Sequence, residues 1–118
     1  MLVDDDPVVL EVAEMILVEA GFSVFTARNA IEAMGLLDVY GDAIRVVVTD
    51  VNMPEMTGFE LAERLATSHA AVRVIFMSGN SSIARDLCAK DSFIAKPFGS
   101  KALTEKVREA FEKMCAAR

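Results

Sequence analysis

The chain has 118 residues, 53% of them apolar and 25% charged, with a formal net charge of -6. That is ample for one domain with its own core and is not the profile of a disordered chain. The acidic balance argues against non-specific nucleic-acid binding by this domain, no apolar run approaches the roughly 20 residues of a membrane span, and no basic-apolar-small leader opens the chain. Cys88 and Cys115 show no metal-ligand spacing and no secretory context, which reads as reduced thiols in a cytosolic protein.

Met1 to Val3 read as a first strand, short enough to look cut from a longer chain. Asp6-Pro7 is a helix start, an aspartate cap before proline at the first helical position. Val9, Val12, Ala13, Ile16, Leu17 and Ala20 then recur at helical spacing, and Gly21 ends the helix. Phe22 to Thr26 reads as a second strand and Ala30 to Leu37 as a second helix capped by Asn29. Arg45 to Asp50 is the third strand and the best candidate for burial on both faces, being β-branched without alternation. Thr57-Gly58-Phe59-Glu60 has capping-box spacing and opens a third helix through Leu61, Ala62 and Leu65. Val72 to Met77 is a fourth strand, 82–89 a short helix, and Ser92 to Ala95 a fifth strand. Ser100 caps a last helix with Leu103, Val107, Ala110 and Phe111 inward and Lys101/Glu105 and Glu109/Lys113 pairs outward. Five strands alternating with five helices predict one α/β domain over residues 1–118, a parallel sheet covered on both faces.

In a parallel sheet the C-terminal strand ends share one edge, where α/β proteins build their sites. The first strand brings Asp4, Asp5 and Asp6 there, the third Asp50, the fourth Ser78 and the fifth Lys96. Two unscreened carboxylates about 4 Å apart repel by roughly 4 kcal/mol at an effective dielectric near 20. Such a cluster suits a hard cation or a reactive carboxylate. Carboxylates for Mg2+, a nucleophilic carboxylate, an ammonium and a hydroxyl are the parts that phosphoryl transfer uses.

Val3-Asp4-Asp5-Asp6-Pro7, Thr49-Asp50-Val51-Asn52-Met53-Pro54-Glu55-Met56-Thr57-Gly58, Met77-Ser78-Gly79 and Ala95-Lys96-Pro97-Phe98 resemble the receiver domains of bacterial two-component response regulators. The resemblance runs through essentially the whole chain in the right order. It implies a doubly wound, flavodoxin-like sheet of strand order 2-1-3-4-5. It implies that Asp50 is the phosphoacceptor and that Asp4 and Asp5 are the acidic pair that binds Mg2+. The Asn52 backbone carbonyl completes the metal site, and Lys96 ion-pairs with the phosphoryl group. Ser78 is the switch hydroxyl and Phe93 the aromatic switch residue. The Lys96-Pro97 bond is expected to be cis. Asp6 falls outside the acidic pair, and capping suffices for it. Phe76-Met77-Ser78-Gly79 resembles receivers fused to hybrid sensor histidine kinases. Ser78 and Lys96 stand 18 positions apart, several fewer than the family's usual spacing, which puts the surface around 82–89 in question.

The expected function is phosphorelay signalling by a domain that is not an enzyme but assists its own phosphorylation and dephosphorylation. Its partner is a histidine kinase or histidine phosphotransfer domain, with an output partner unspecified. The setting is cytoplasmic, beside a membrane-anchored parent if that parent is a hybrid kinase. His69, the only histidine, reads as a solvated loop residue and not as the donor. The seven methionines read as core filler. Three other readings compete. A flavin or nucleotide domain needs a Gly/Ser-rich phosphate loop where this chain has three aspartates. An aspartyl phosphatase of the haloacid dehalogenase type needs a second aspartate where Asn52 stands. A docking module without phosphorylation leaves Asp4, Asp5, Asp50 and Lys96 without a purpose.

Overall fold

The computed structural model describes residues 1–79 and 92–116. In chain order these form β1 (Leu2–Val3), α1 (Pro7–Glu19), β2 (Thr26–Ala27), α2 (Ala30–Tyr40), β3 (Val46–Asp50), α3 (Gly58–Ser68), β4 (Arg73–Ser78), β5 (Ser92–Ala95) and α4 (Ser100–Ala116). The strands make one sheet, all parallel, in order β2-β1-β3-β4-β5. The helix expected over 82–89, with Cys88, and the side chains of Lys113 and Cys115 lie outside the described residues.

All five residues of β3 are buried, because both faces of a doubly wound sheet are covered. Alternation sends Val46 and Val48 to one face and Val47 to the other. On the first face, Leu10, Ala13 and Leu17 of α1 and Leu103, Val107 and Ala110 of α4 close over Leu2, Val46, Val48, Ile75, Met77 and Ile94. On the second, Ala30, Ala33 and Leu37 of α2 and Leu61 and Leu65 of α3 pack on Val3, Val47 and Met53. Each large aliphatic side chain so buried stabilises the fold by about 1.5–3 kcal/mol. The aromatic pair Phe22–Phe111 joins the turn after α1 to α4, with ring centroids 5.6 Å apart. The Met1 ammonium donates to the Val46 carbonyl at 2.6 Å, and burial lowers its pKa from 8.0 to about 6.

Local signals set most boundaries. The Asp6 carboxylate accepts from the Val8 N–H at 2.9 Å and caps α1. Asn29 caps α2 through the Glu32 N–H at 2.7 Å. The Thr57/Glu60 capping box is formed at the head of α3.

Several expectations need correction. The second strand is Thr26–Ala27, not Phe22 to Thr26. The Phe22 N–H instead bonds the Leu17 carbonyl and the Gly21 N–H the Val18 carbonyl, both at 3.0 Å. With Gly21 at φ 98 this is a Schellman closure of α1, which occupies the residues that would have begun the strand. On α1, Leu10 takes the inward position and Val12 is exposed, together with Val8, Met15 and Val18. A helix apolar nearly all round gives periodicity no face to choose. α2 runs on to Tyr40, beyond Leu37. β3 starts at Val46 rather than Arg45, and β4 spans Arg73–Ser78 rather than Val72 to Met77. The Leu103 N–H bonds the Gly99 carbonyl at 3.2 Å, so Gly99 holds the cap position and Ser100 is the first helical residue. Among the described residues no ion pair joins Lys101 to Glu105, since exposed pairs gain little against solvent.

Candidate functional site

β1, β3, β4 and β5 run parallel, so the residues at or just after their C-terminal ends gather at one edge. Asp4 follows β1 and is 1% exposed; Asp50 ends β3 at 8%; Asp5 is exposed. One carboxylate oxygen from each lies within 4.8 Å of the others. Among the described residues this is the one such grouping of three metal-ligating side chains. Asp4 Oδ1 accepts from the Asp6 N–H at 2.9 Å. Asp50 Oδ1 accepts from the Asn52 N–H at 3.3 Å.

Lys96 follows β5 and reaches across the edge. Its Nζ lies 2.7 Å from Asp4 Oδ2 and 3.4 Å from Asp50 Oδ2. Its backbone N–H donates to the Ser78 carbonyl at 2.9 Å, and the Lys96-Pro97 bond is cis, as the resemblance implies. Burial, then the charge of Asp4, raises the pKa of Asp50 above 3.8, against the opposing pull of Lys96 and the Asn52 N–H. For Lys96, burial acts to lower the pKa, but the hydrogen bond to Asp4 and the charges of Asp4 and Asp50 outweigh it and raise it above 10.5. Three carboxylates against one ammonium leave an excess of negative charge on hard oxygen donors. That donor set fits a divalent cation such as Mg2+.

Asp4, Asp5, Asp50 and Lys96 are thus brought together from three strand ends. Ser78 is buried at the end of β4, the strand next to Asp50. Asn52 is exposed, with its N–H on the Asp50 carboxylate. Phe93 is half-buried on β5, opposite Phe76 in the ladder. Paired residues of parallel strands point to the same face, which places Phe93 on the face covered by α3, where Phe76 meets Phe59 at 4.9 Å. His69 is a loop residue as expected, the one that caps the C-terminal end of α3, but it is half-buried rather than solvated: Ser68 Oγ lies 2.8 Å from its Nδ1 and its ring lies over Gly41. It precedes β4 and so sits at the edge of the sheet away from Asp50.

Two features of the site escaped the sequence reading. Gly58 lies so close to the Asp50 main-chain carbonyl that a Cβ there would overlap the oxygen. Thr49 is wholly buried, and its hydroxyl donates to that same carbonyl at 3.0 Å. A hydroxyl set in the run Val46-Val47-Val48 was the available signal, because a buried hydroxyl needs a partner.

Comparison with known proteins agrees with this geometry. The family model described as "Response regulator receiver domain" matches residues 1–108. Sensor kinase CckA of Brucella abortus (strain 2308) is 36% identical over 117 residues, which cover 96% of this chain and 12% of that protein. Transcriptional regulatory protein GlrR of Escherichia coli (strain K12) is 30% identical over 121 residues, 99% of this chain and 27% of that protein. The chain therefore spans a small part of the curated relatives it matches. Among solved structures, the receiver domain from hybrid histidine kinase CckA superposes with a TM-score of 0.80 at 27% identity, covering 92% of this chain and 94% of that one. A CheY-like receiver domain protein from Methanospirillum hungatei JF-1 gives 0.87 at 26% identity, covering 99% and 95%. By fold, strand-end chemistry and likeness, the chain belongs to the response regulator receiver domains of two-component signal transduction.

Proposed function

We propose that this receiver accepts a phosphoryl group on Asp50 from a phosphohistidine carried by another domain or chain. The observation that carries the reading is the Lys96 ammonium lying between Asp4 and Asp50 at one sheet edge, 2.7 and 3.4 Å away. An Asp50 carboxylate oxygen attacks phosphorus, and an acyl phosphate forms. The bond from phosphorus to the imidazole nitrogen breaks, its electron pair returning to the ring. Lys96 offsets charge on the phosphoryl oxygens. The Ser78 hydroxyl, at the end of the neighbouring strand, supplies a hydrogen-bond donor. Asp4, Asp5 and Asp50, with the Asn52 carbonyl, hold Mg2+, which neutralises charge between carboxylates and phosphoryl group when bound. His69, the chain's only histidine, is at the far edge, so the donor histidine comes from elsewhere.

Phosphorylation then shifts an existing equilibrium between two conformations, with Ser78 and Phe93 as the moving parts. Likeness to the CckA receiver supports a setting beside a histidine kinase. A kinase-coding stretch upstream of Met1 in the same reading frame checks that setting.

The direct test is incubation with a small-molecule phosphodonor and Mg2+, read by intact-protein mass spectrometry. Wild type gains one phosphoryl group, acid-stable and base-labile, and Asp50→Ala gains none. Equal modification of the two proteins overturns the reading.

A further inference from the structure

Among the described residues four polar side chains are buried: Asp4, Asp50, Ser78 and Thr49. Asp4 and Asp50 flank Lys96 at the C-terminal edge, and Ser78 ends the strand beside Asp50. Thr49 lies on the face opposite Asp50, since alternation along β3 puts it with Val47 and Met53, under α2 and α3. Its hydroxyl reaches no carboxylate. It donates to the main-chain carbonyl of Asp50 at 3.0 Å, and Met53 Sδ lies 4.0 Å away as a weaker acceptor. Valine would fill the same space, as it does at the three preceding positions of the strand.

The Asp50 carbonyl is where the strand turns into the loop that carries Asn52. On its other side stands Gly58, whose missing Cβ leaves room for the oxygen and whose N–H donates to the Val51 carbonyl at 2.8 Å. The carbonyl therefore accepts from the Thr49 hydroxyl and lies against Gly58 at the head of α3. Because the peptide unit is planar, fixing this oxygen fixes the tilt of the Asp50-Val51 unit. That tilt sets the course of the chain to Asn52, whose N–H meets Asp50 Oδ1 at 3.3 Å.

We propose that Thr49 is a positioning residue, which holds the Asp50-Val51 peptide unit so that Asn52 stays against the Asp50 carboxylate and the cation site keeps its shape. The proposal rests on the reading of that site given above. It goes further by assigning a role to a side chain on the opposite face of the sheet. Groups that orient ligands without touching the metal commonly change metal affinity by about 10–100-fold when removed.

Thr49→Val removes the hydroxyl at constant shape, and Thr49→Ser keeps it. Amide exchange at Asn52, measured without divalent cation, should speed up roughly tenfold in Thr49→Val, and Mg2+ should bind roughly tenfold more weakly. Thr49→Ser should stay near wild type in both, and both variants should melt within a few degrees of wild type. Wild-type exchange and Mg2+ affinity in Thr49→Val overturn the proposal. So do losses in Thr49→Ser as large as those in Thr49→Val, which would assign the effect to packing. The exchange measurement needs neither metal nor phosphoryl transfer, so it stands apart from the Asp50→Ala test of phosphorylation.

Discussion

Lys96 is closer to Asp4 than to Asp50, at 2.7 Å against 3.4 Å. Asp4 is the more deeply buried carboxylate, with its side chain 1% exposed, so the lysine is first of all the counter-ion of Asp4. Removing one partner of a buried pair leaves an uncompensated charge, which costs roughly 3–5 kcal/mol. Lys96→Met should lower the unfolding free energy by about 3 kcal/mol without divalent cation, and Mg2+ should restore part of it. Urea denaturation with and without Mg2+ measures both. A loss below about 1 kcal/mol would class the contact with solvent-screened surface pairs.

Burial and then the charge of Asp4 raise the pKa of Asp50 above 3.8. A carboxyl with a raised folded-state pKa costs stability once it is ionised. The cost fades as pH falls through the raised value toward 3.8. Asp50→Asn removes it, so the metal-free variant should melt a few degrees above wild type at pH 7, and the gap should close on acidification. Lys96, raised above 10.5, has the opposite consequence at the alkaline end. Its contribution is complete below 10.5 and is lost as pH climbs through the raised value.

Mg2+ should stabilise the wild-type chain by mass action. At a concentration one hundred times its dissociation constant, a ligand confined to the native state contributes about 2.7 kcal/mol. Asp5 is the exposed member of the carboxylate group, so Asp5→Ala should fold normally and lose most of the Mg2+-dependent rise in melting temperature. An equal rise in both proteins would place the cation elsewhere.

The 118-residue chain with a free N-terminus should be more stable at pH 8.5 than at pH 6. Burial lowers the Met1 ammonium from 8.0 to about 6. Between those values the unfolded chain binds a proton that the folded chain does not, so stability rises with pH across that window. Two pKa units correspond to roughly 2–3 kcal/mol. Acetylation of the terminus should abolish this part of the pH dependence, as followed by denaturant midpoints.

Two glycines should respond oppositely to alanine. A Cβ at Gly58 would overlap the Asp50 carbonyl oxygen, whereas one at Gly35, within α2, meets nothing within 4 Å. Gly35→Ala should stabilise by roughly 0.5–1 kcal/mol through helix propensity. Gly58→Ala should destabilise by about 1–3 kcal/mol and weaken Mg2+ binding, because the displaced atom belongs to Asp50.

Sequence alone determined the features that depend on near neighbours in the chain. The unbroken apolar run before Asp50 required a strand buried on both faces, Asp6-Pro7 required a helix start, and Thr57 with Glu60 required a capping box. Each is decided within one turn or one strand, and each is formed in the structure. The order of strand ends already placed Asp4, Asp5, Asp50, Ser78 and Lys96 at one edge. Tertiary structure decided what depends on distant residues. The Lys96–Asp4 contact joins positions 92 apart, and its preference over Lys96–Asp50 follows from which carboxylate is more deeply desolvated. The Schellman closure at Gly21 shortened β2, a competition between two local structures that residue types alone do not resolve. The outward valines of α1 were ambiguous because a helix apolar on every side takes its orientation from the sheet it covers. His69 lies over Gly41 because α3 ends there. The hydroxyl of Thr49 looked like one more β-branched residue until the Asp50 carbonyl appeared beside it.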